Sequence, residues 1–518
     1  MIKNLKLNTK PIIIKRALIS VYNKTGIIDF ANVLIENNVE ILSTGGTAKI
    51  LRESGIPVID VSEYTNFPEI MDGRVKTINP LIEGGILGLR DHHSSDAEIN
   101  KIKWIDLVVC NLYPFSETIS QPNCDDALAL ENIDIGGPTM VRSAAKNVGW
   151  VVAAVDPSDY KGLSKVIDKD KQVPFDIRRE LSAKAFGHTA QYDTIIHNYL
   201  KETPLSDDFS ITFQKHSEMR YGENPHQSAA SFKIPGNNES NILNAIIHQG
   251  KKLSYNNIMD ADGALACLKE FQDPACVVVK HANPCGVSTG KNLLDVYKRA
   301  FNADSLSAFG GIIALNRTCN AEVAKQITGS FVEIVLAPKF ELDALMIFQK
   351  KKNIRVLEIG EFGKRNKKLE IRNIDGGILV QDVDTKILTK NDLKCVTIKK
   401  PSEQDIETAL FTWKVLRHAK SNGILVAKNN TTVGLGAGQV SRVDAVHMAL
   451  RKGGENVIGG VLASDAFFPF RDSIDAIKES GITTVLQPGG SIRDKEVIDA
   501  CNEYNIAMIF TGTRCFKH

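Results

Sequence analysis

The 518-residue sequence has no apolar run long enough to cross a bilayer. Its basic N-terminus carries only the short apolar run at residues 12–14 and no small-residue cleavage site, so no secretory signal is expected. It also lacks a CxxC pair. The nine cysteines are scattered and odd in number, which gives no ground for a disulfide framework or a structural zinc site. No metal is expected, and the expected location is cytoplasmic. An excess of charge of one sign is missing as well. The 63 basic and 61 acidic residues leave a net charge of +2, which argues against a nucleic-acid-coating surface or a polybasic membrane anchor. A local basic pocket for a small anion stays open.

What is present is globular material: 43% hydrophobic and 24% charged residues over a length that suggests roughly two to four domains. The first 160 residues alternate β-rich runs (16–21, 39–43, 57–61, 107–111, 150–155) with helix-like stretches (25–37, 47–54). That rhythm predicts an α/β domain with a mainly parallel sheet. Helices follow near residues 178–199. The polar stretch 201–214 is the candidate boundary, giving domains 1–200 and 201–518.

The second part carries a weak internal repeat. Residues 277–287 read VVVKHANPCGV and residues 425–435 read LVAKNNTTVGL; GGIIALN at 310–316 is echoed by GGVLASD at 459–465. The near-equal spacing predicts a duplicated α/β unit, in two subdomains of about 215–390 and 391–518. Lys280-His281 and Lys428-Asn429 then fall at equivalent strand ends, where α/β sheets bind ligands. The pair is expected to supply a base and a carbonyl-binding amide to one site.

Several motifs carry chemistry. Ser43-Thr44-Gly45-Gly46-Thr47 follows a strand and opens a helix; it is either a phosphate cradle or a tight turn with a Thr cap. Lys24 and the cluster Arg74-Val75-Lys76-Thr77 favour the cradle. Asn111-Leu112-Tyr113-Pro114-Phe115 ends a strand with a Tyr that can donate a proton. Asp134 precedes a Gly-Gly turn, and Lys146 ends the basic stretch after it. Arg220-Tyr221-Gly222-Glu223-Asn224-Pro225-His226-Gln227 is a polar, stacking-rich loop. Lys280-His281 offers a candidate base. Pro284-Cys285 lacks the second Cys of a zinc deaminase, since position 288 is Ser. Phe467-Phe468-Pro469-Phe470 with Asp472 suggests a wall for an aromatic heterocycle. The tail 511–518, cationic and preceded by an apolar run, is expected to be tied down.

The ordered set STGGTAK, GRVKT, NLYPF, DIGGPT, RSAAKN, RYGENPHQ, KHANPCG, SAFGGIIA, GAGQVSR and SDAFFPF, spread from Ala17 to His518, resembles one family. This is the bifunctional purine-biosynthesis family that joins AICAR formyltransferase to IMP cyclohydrolase. The resemblance implies an N-terminal methylglyoxal-synthase-like, Rossmann-type domain for cyclisation and a C-terminal tandem of cytidine-deaminase-like α/β subdomains, without zinc, for formyl transfer. It implies 10-formyltetrahydrofolate as co-substrate, with no metal or redox cofactor. AICAR and its formylated product FAICAR are the implied ribotides. An intertwined homodimer with transfer sites at the subunit interface is implied too. Matching phosphate positions are Ser20, Lys24, Thr44, Gly45, Gly46, Thr47 and Arg74, with Thr77 beside them; Lys76, Tyr113, Asp134 and Lys146 match ring closure. Lys280, His281 and Asn429 match formyl transfer. Arg220, Tyr221, Asn224, His226, Phe467, Asp472, Arg514 and His518 match substrate or folate contacts. Tyr22-Asn23 stands where many members have Ser-Asp, and the first fifteen or so residues receive no role. Two other classes of reading compete: a phosphate-sensing regulatory module without turnover, and an RNA- or base-binding protein, which the balanced charge does not favour.

Overall fold

The computed structural model describes residues 6–362 and 368–518. The chain parts into two compact units between Thr212 and Phe213. In the first unit, β1 (Arg16–Val21), β2 (Glu40–Ser43), β3 (Ile59–Asp60), β4 (Leu107–Asn111) and β5 (Val152–Ala154) form one parallel sheet, ordered β3-β2-β1-β4-β5. The central strands are buried on both faces and read as continuous apolar runs for that reason. Helix Ile27–Glu36 buries Ile27, Phe30, Ala31 and Leu34, the spacing of one helical face. The strand expected at 57–61 stops at Asp60. Its carboxylate accepts the Ser62 N–H at 3.1 Å, and Val61 therefore opens a short helix.

Within the N-terminal stretch that sequence left without a role, residues 8–12 form a strap. Ile12 bridges to Val173, and Asn8 Nδ2 donates to Gly149 O at 2.9 Å. Arg178, fully buried, donates to the carbonyls of Val148, Val173, Asn8, Lys10 and Gly149 at 2.7–3.2 Å. A guanidinium with five donors in a rigid fork suits five converging carbonyls.

The second unit begins with a hairpin of β6 (Gln214–Met219) and β7 (Ala229–Lys233). Next come β8 (Ile246–Gln249), β9 (Ala275–Lys280), β10 (Asn283–Thr289), β11 (Ile312–Leu315), β12 (Ile334–Ala337) and β13 (Arg355–Glu358). A second hairpin, β14 (Leu369–Ile374) and β15 (Gly377–Asp382), intervenes. The rest are β16 (Lys394–Cys395), β17 (Ile424–Lys428), β18 (Thr431–Gly436), β19 (Val461–Ser464), β20 (Thr484–Gln487) and β21 (Ala507–Phe510). Hairpins apart, these strands make one sheet ordered β16-β21-β20-β19-β17-β18-β10-β9-β11-β12-β13-β8.

Counted outward from the central β10–β18 pair, the two halves repeat strand for strand. Each has an antiparallel hairpin, three parallel strands and an antiparallel edge strand. Details repeat as well. Gly286 and Gly434 each let a helix backbone approach so closely that an added Cβ would lie 2.0 Å from Ala300 O or 2.2 Å from Ala449 O. The helices 255–268 and 403–416 both start with a Ser capping box, at Ser254 and Ser402.

Candidate active sites

In the first unit the chain winds β1 to β3 outward on one side and β4 to β5 on the other. The sheet therefore reverses between β1 and β4, the crevice where such sheets bind ligands. Asn111, ending β4, accepts the N–H groups of Tyr22 (2.7 Å) and Asn23 (2.8 Å) and donates to Asn23 O (3.0 Å). The Tyr22-Asn23 loop is thus fixed, and Lys24 Nζ folds back on Tyr22 O at 3.2 Å.

Beside it starts helix Gly45–Glu53, whose first N–H groups have no intrahelical partner. Gly45 takes φ +52°, and a Cβ there would lie 3.2 Å from Lys76 Nζ; one on Gly46 would lie 4.0 Å from Lys24 Nζ. Two ammonium groups therefore flank one helix N-terminus. Thr44 Oγ1 is buried there without a hydrogen-bond partner. A phosphate would supply the acceptor it lacks. Ser20 lies on β1 next to this turn, paired in register with Cys110. Thr47 needs a correction. Its hydroxyl donates to Val21 O (2.9 Å) and accepts Val21 N–H (3.1 Å), so it ties the helix to β1 and leaves only its backbone N–H for an anion.

The ring-closure candidates adjoin this cradle. Lys76 pairs with Glu69 and Arg74 with Glu131. Thr77 Oγ1 lies 2.9 Å from where a Gly136 Cβ would stand. Tyr113 is half-exposed, its ring 5.9 Å from that of Tyr22. Asp134 accepts the N–H groups of Gly137 (2.8 Å) and Tyr113, while its own N–H donates to Tyr192 OH at 2.8 Å. Burial holds the Asp134 carboxyl above the ordinary carboxylate range, against the pull of those two N–H groups. Burial, then the Asp134 charge, raises the Tyr113 phenol. Lys146 stands at the other end of the helix that follows Asp134. It ends helix Gly136–Lys146, about 16 Å along the axis from the end that Asp134 caps.

In the second unit, the repeat becomes visible as two hairpin tips. His281-Ala282 turn with φ +52° and +58°, and Asn429-Asn430 with +50° and +54°. Lys280 Nζ donates to Gly310 O at 2.8 Å, and Lys428 Nζ to Ile458 O at 2.8 Å. The tips do not meet, however. Since β10 and β18 run antiparallel in register Ser288–Thr431, His281 and Asn429 lie at opposite rims of the sheet, about 20 Å apart within one chain. Within one chain, therefore, the two tips cannot flank one formyl group, and only the site expected at a subunit interface could bring them together.

The His281 rim holds more. Asp260 Oδ1 accepts the Ala282 N–H (2.8 Å), and Asn283 Nδ2 donates to His281 O (3.0 Å), which together stabilise a left-handed turn in non-glycine residues. The loop 220–227, with Arg220, Tyr221, Asn224 and His226, joins β6 to β7 and meets the start of helix 255–268 through Asn256 Nδ2 and Glu223 O at 3.4 Å. Asn283 Oδ1 accepts Lys420 N–H at 3.2 Å, linking the tip to the segment that enters a cleft of about 670 Å³.

That cleft collects Phe467, Phe470, Asp472, Arg514 and Phe516. Phe468 is not part of the wall; it is fully buried in the core. Asp472 Oδ1 accepts the Ser473 N–H at 2.6 Å in the first turn of its helix. His518 stacks near Phe516, with ring centroids 5.5 Å apart. The tail is tied down, with Cys515 N on Asp465 O at 3.0 Å and Ser421 N on Lys517 O at 2.8 Å. Sequence reasoning missed two lining residues, Asn422 and Arg442. Arg442 closes the motif GAGQVSR, an arginine opening a helix after a Gly-rich turn, and that signal was available. Asn422 gave none.

Two family models match the chain: an MGS-like domain over residues 26–139 and the AICARFT/IMPCHase bienzyme over residues 144–452. The bifunctional purine biosynthesis protein PurH of Acetivibrio thermocellus is 50% identical over 98% of this chain and all of its own length. Its counterpart from Caldicellulosiruptor saccharolyticus is 48% identical over 97% of this chain and all of its own. A solved structure described as "Crystal structure of ForH" is 32% identical, covering 35% of this chain and 95% of that one, with a TM-score of 0.34. A crevice with a phosphate-ready helix terminus, a duplicated second unit and full-length relatives converge: the chain belongs to the AICARFT/IMPCHase bienzyme family.

Proposed function

We propose that the protein makes IMP in two steps at separate sites. The second unit transfers a formyl group to the 5-amino group of AICAR, and the first unit closes the resulting FAICAR to IMP with loss of water. The phosphate-sensing reading finds no support beside this one. The single observation that carries the assignment is the segregation of chemistry: an anion cradle with Lys24, Lys76, Tyr113 and Asp134 in one unit, and a Lys-His tip beside an aromatic cleft in the other.

In transfer, 10-formyltetrahydrofolate supplies the formyl group. The cleft suits its flat ring system, with Phe467 and Phe470 as apolar walls and Asp472 and Arg514 as polar ends. His281 takes the proton from the weakly nucleophilic ring amine during attack. Lys280 and Arg442 are donors that can stabilise the developing oxyanion, and Asn429, on the far rim of the same chain, can join them only from the other subunit of a homodimer. In cyclisation both reacting groups belong to one bound molecule, so orientation does much of the work. The Thr44-Gly45-Gly46-Thr47 turn, Lys24 and Arg74 anchor the phosphate, while Lys76, Tyr113 and Asp134 orient the amide and move protons.

A homodimer is part of this proposal. The β14–β15 hairpin leaves Ile374, Ile378 and Leu379 exposed at 48%, 42% and 57%, and an isolated two-stranded hairpin needs a surface to rest on. A cytoplasmic location is proposed as well, in keeping with nine free thiols.

Incubation with AICAR and 10-formyltetrahydrofolate tests the assignment. IMP should form; ribotide binding without product would favour the sensing module instead.

A further inference from the structure

The duplicated halves place an equivalent residue just after β11 and β19: Asn316 in one, Asp465 in the other. Both perform one shared duty. Asn316 Oδ1 accepts Ala275 N–H at 2.7 Å, and Asp465 Oδ2 accepts Gly423 N–H at 2.8 Å, each pinning the start of its hairpin. Asn316 then spends its amide on Phe271 O (3.1 Å) and Asp273 O (2.7 Å) and goes no further. The fold's requirement at this position is therefore met by a neutral amide.

Asp465 is wholly buried, and burying a carboxylate is costly unless it is paired. It is paired with Arg442, itself 9% exposed, and also accepts from Ser421 Oγ. Arg442 additionally donates to Ser464 Oγ and to Asn422 Oδ1, both at 2.8 Å. Its Nε–H and its second Nη2 hydrogen have no protein acceptor among the described residues, and Arg442 lines the aromatic cleft. The same aspartate reaches the tail twice. Its carbonyl accepts Cys515 N–H at 3.0 Å, and Ser421, which it holds, exchanges hydrogen bonds with the Lys517 backbone. One buried charge thus fixes the segment 421–423, the Arg442 guanidinium and the tail bearing Arg514 and His518.

We propose that Asp465 is a positioning residue for formyl transfer: it locks Arg442 so that its two spare N–H donors face an acceptor oxygen of the substrate in the cleft. This rests on the assignment of transfer to the second unit. The charge at this position, where the first half has a neutral Asn, is what distinguishes a site organiser from a structural pin.

The test is a double-mutant cycle on the full-length protein, read separately for formyl transfer and for cyclisation of supplied FAICAR. Asp465→Asn copies the first half and keeps the Gly423 acceptor, so it should fold. Its kcat/KM for transfer should fall about 100-fold, as expected when a binding group is misplaced by about an ångström, with cyclisation unchanged. In an Arg442→Met background, adding Asp465→Asn should cost less than about twofold more, because the residue it positions is gone. Full transfer activity in Asp465→Asn, or an undiminished 100-fold cost in the Arg442→Met background, would overturn the inference. If Asp465→Asn does not fold, Asp465→Glu replaces it: charge retained, carboxylate displaced. Unimpaired transfer there, or failure of both variants to fold, overturns the positioning role. Failure of the wild type to transfer formyl at all would instead overturn the functional assignment beneath it.

Discussion

The two halves of the second unit share a backbone and differ in what they do with it. Both tips turn through paired left-handed residues, and both lysines reach a backbone carbonyl at 2.8 Å. Only the first tip offers an ionisable ring, His281, and only the first is braced by a carboxylate, Asp260. Conversely, the second half carries the aromatic cleft after its parallel strands, with Asp465 where the first half keeps Asn316. The antiparallel β10–β18 junction places these two specialisations on the same rim. Duplication thus supplied two equivalent rims, and chemistry was concentrated on one.

The sharpest way to break this comparison is to exchange the tips' chemistry. His281→Ala should lower formyl transfer about 1000-fold, within the range of a lost general base, while Asn429→Ala, which removes at most one oxyanion donor, should lower it less. Steady-state assays from AICAR would check both, and equal losses would end the asymmetry. Lys76→Ala should cut cyclisation of FAICAR about 100-fold and leave transfer intact, which tests whether the first unit acts independently. Removing the brace is milder. Asp260→Ala frees the Ala282 N–H and should reduce transfer about tenfold, with no change in cyclisation.

The shared scaffold makes a symmetric prediction. Gly286→Ala and Gly434→Ala should each destabilise the protein by about 1–3 kcal/mol in denaturant titrations, since each Cβ meets a helix carbonyl. A large difference between them would show that the halves are not equivalent in packing. The smallest effect is a pH shift in the first unit. Asp134 is held above the ordinary carboxylate range, so its carboxylate form accumulates at higher pH than a solvated Asp at about 4. If cyclisation uses that form, kcat/KM rises with pH through the raised value. Asp134→Asn should lack that acid limb.

Much of the fold could be read from the sequence because its signals are local. β1 and β4 start and stop where apolar runs meet Lys15, Asn111 and Pro114, and helix Ile27–Glu36 shows its buried spacing plainly. The repeat was legible through Lys280 and Lys428 and the glycines behind them. What the sequence could not convey was direction. The pairing of β10 with β18 is a long-range contact, and it alone decides that Asn429 faces away from His281. Phe468 was misplaced for the related reason that a motif does not say which way a residue faces. Asn422 escaped because it meets the site only through its hydrogen bond to Arg442, a contact that no motif announces.

The central claim is that two reactions are housed in two units, and the His281→Ala protein tests it most directly. Given AICAR and 10-formyltetrahydrofolate it should form IMP about 1000-fold more slowly, yet given FAICAR it should form IMP at the wild-type rate. A folded His281→Ala protein that fails with both substrates would contradict the account.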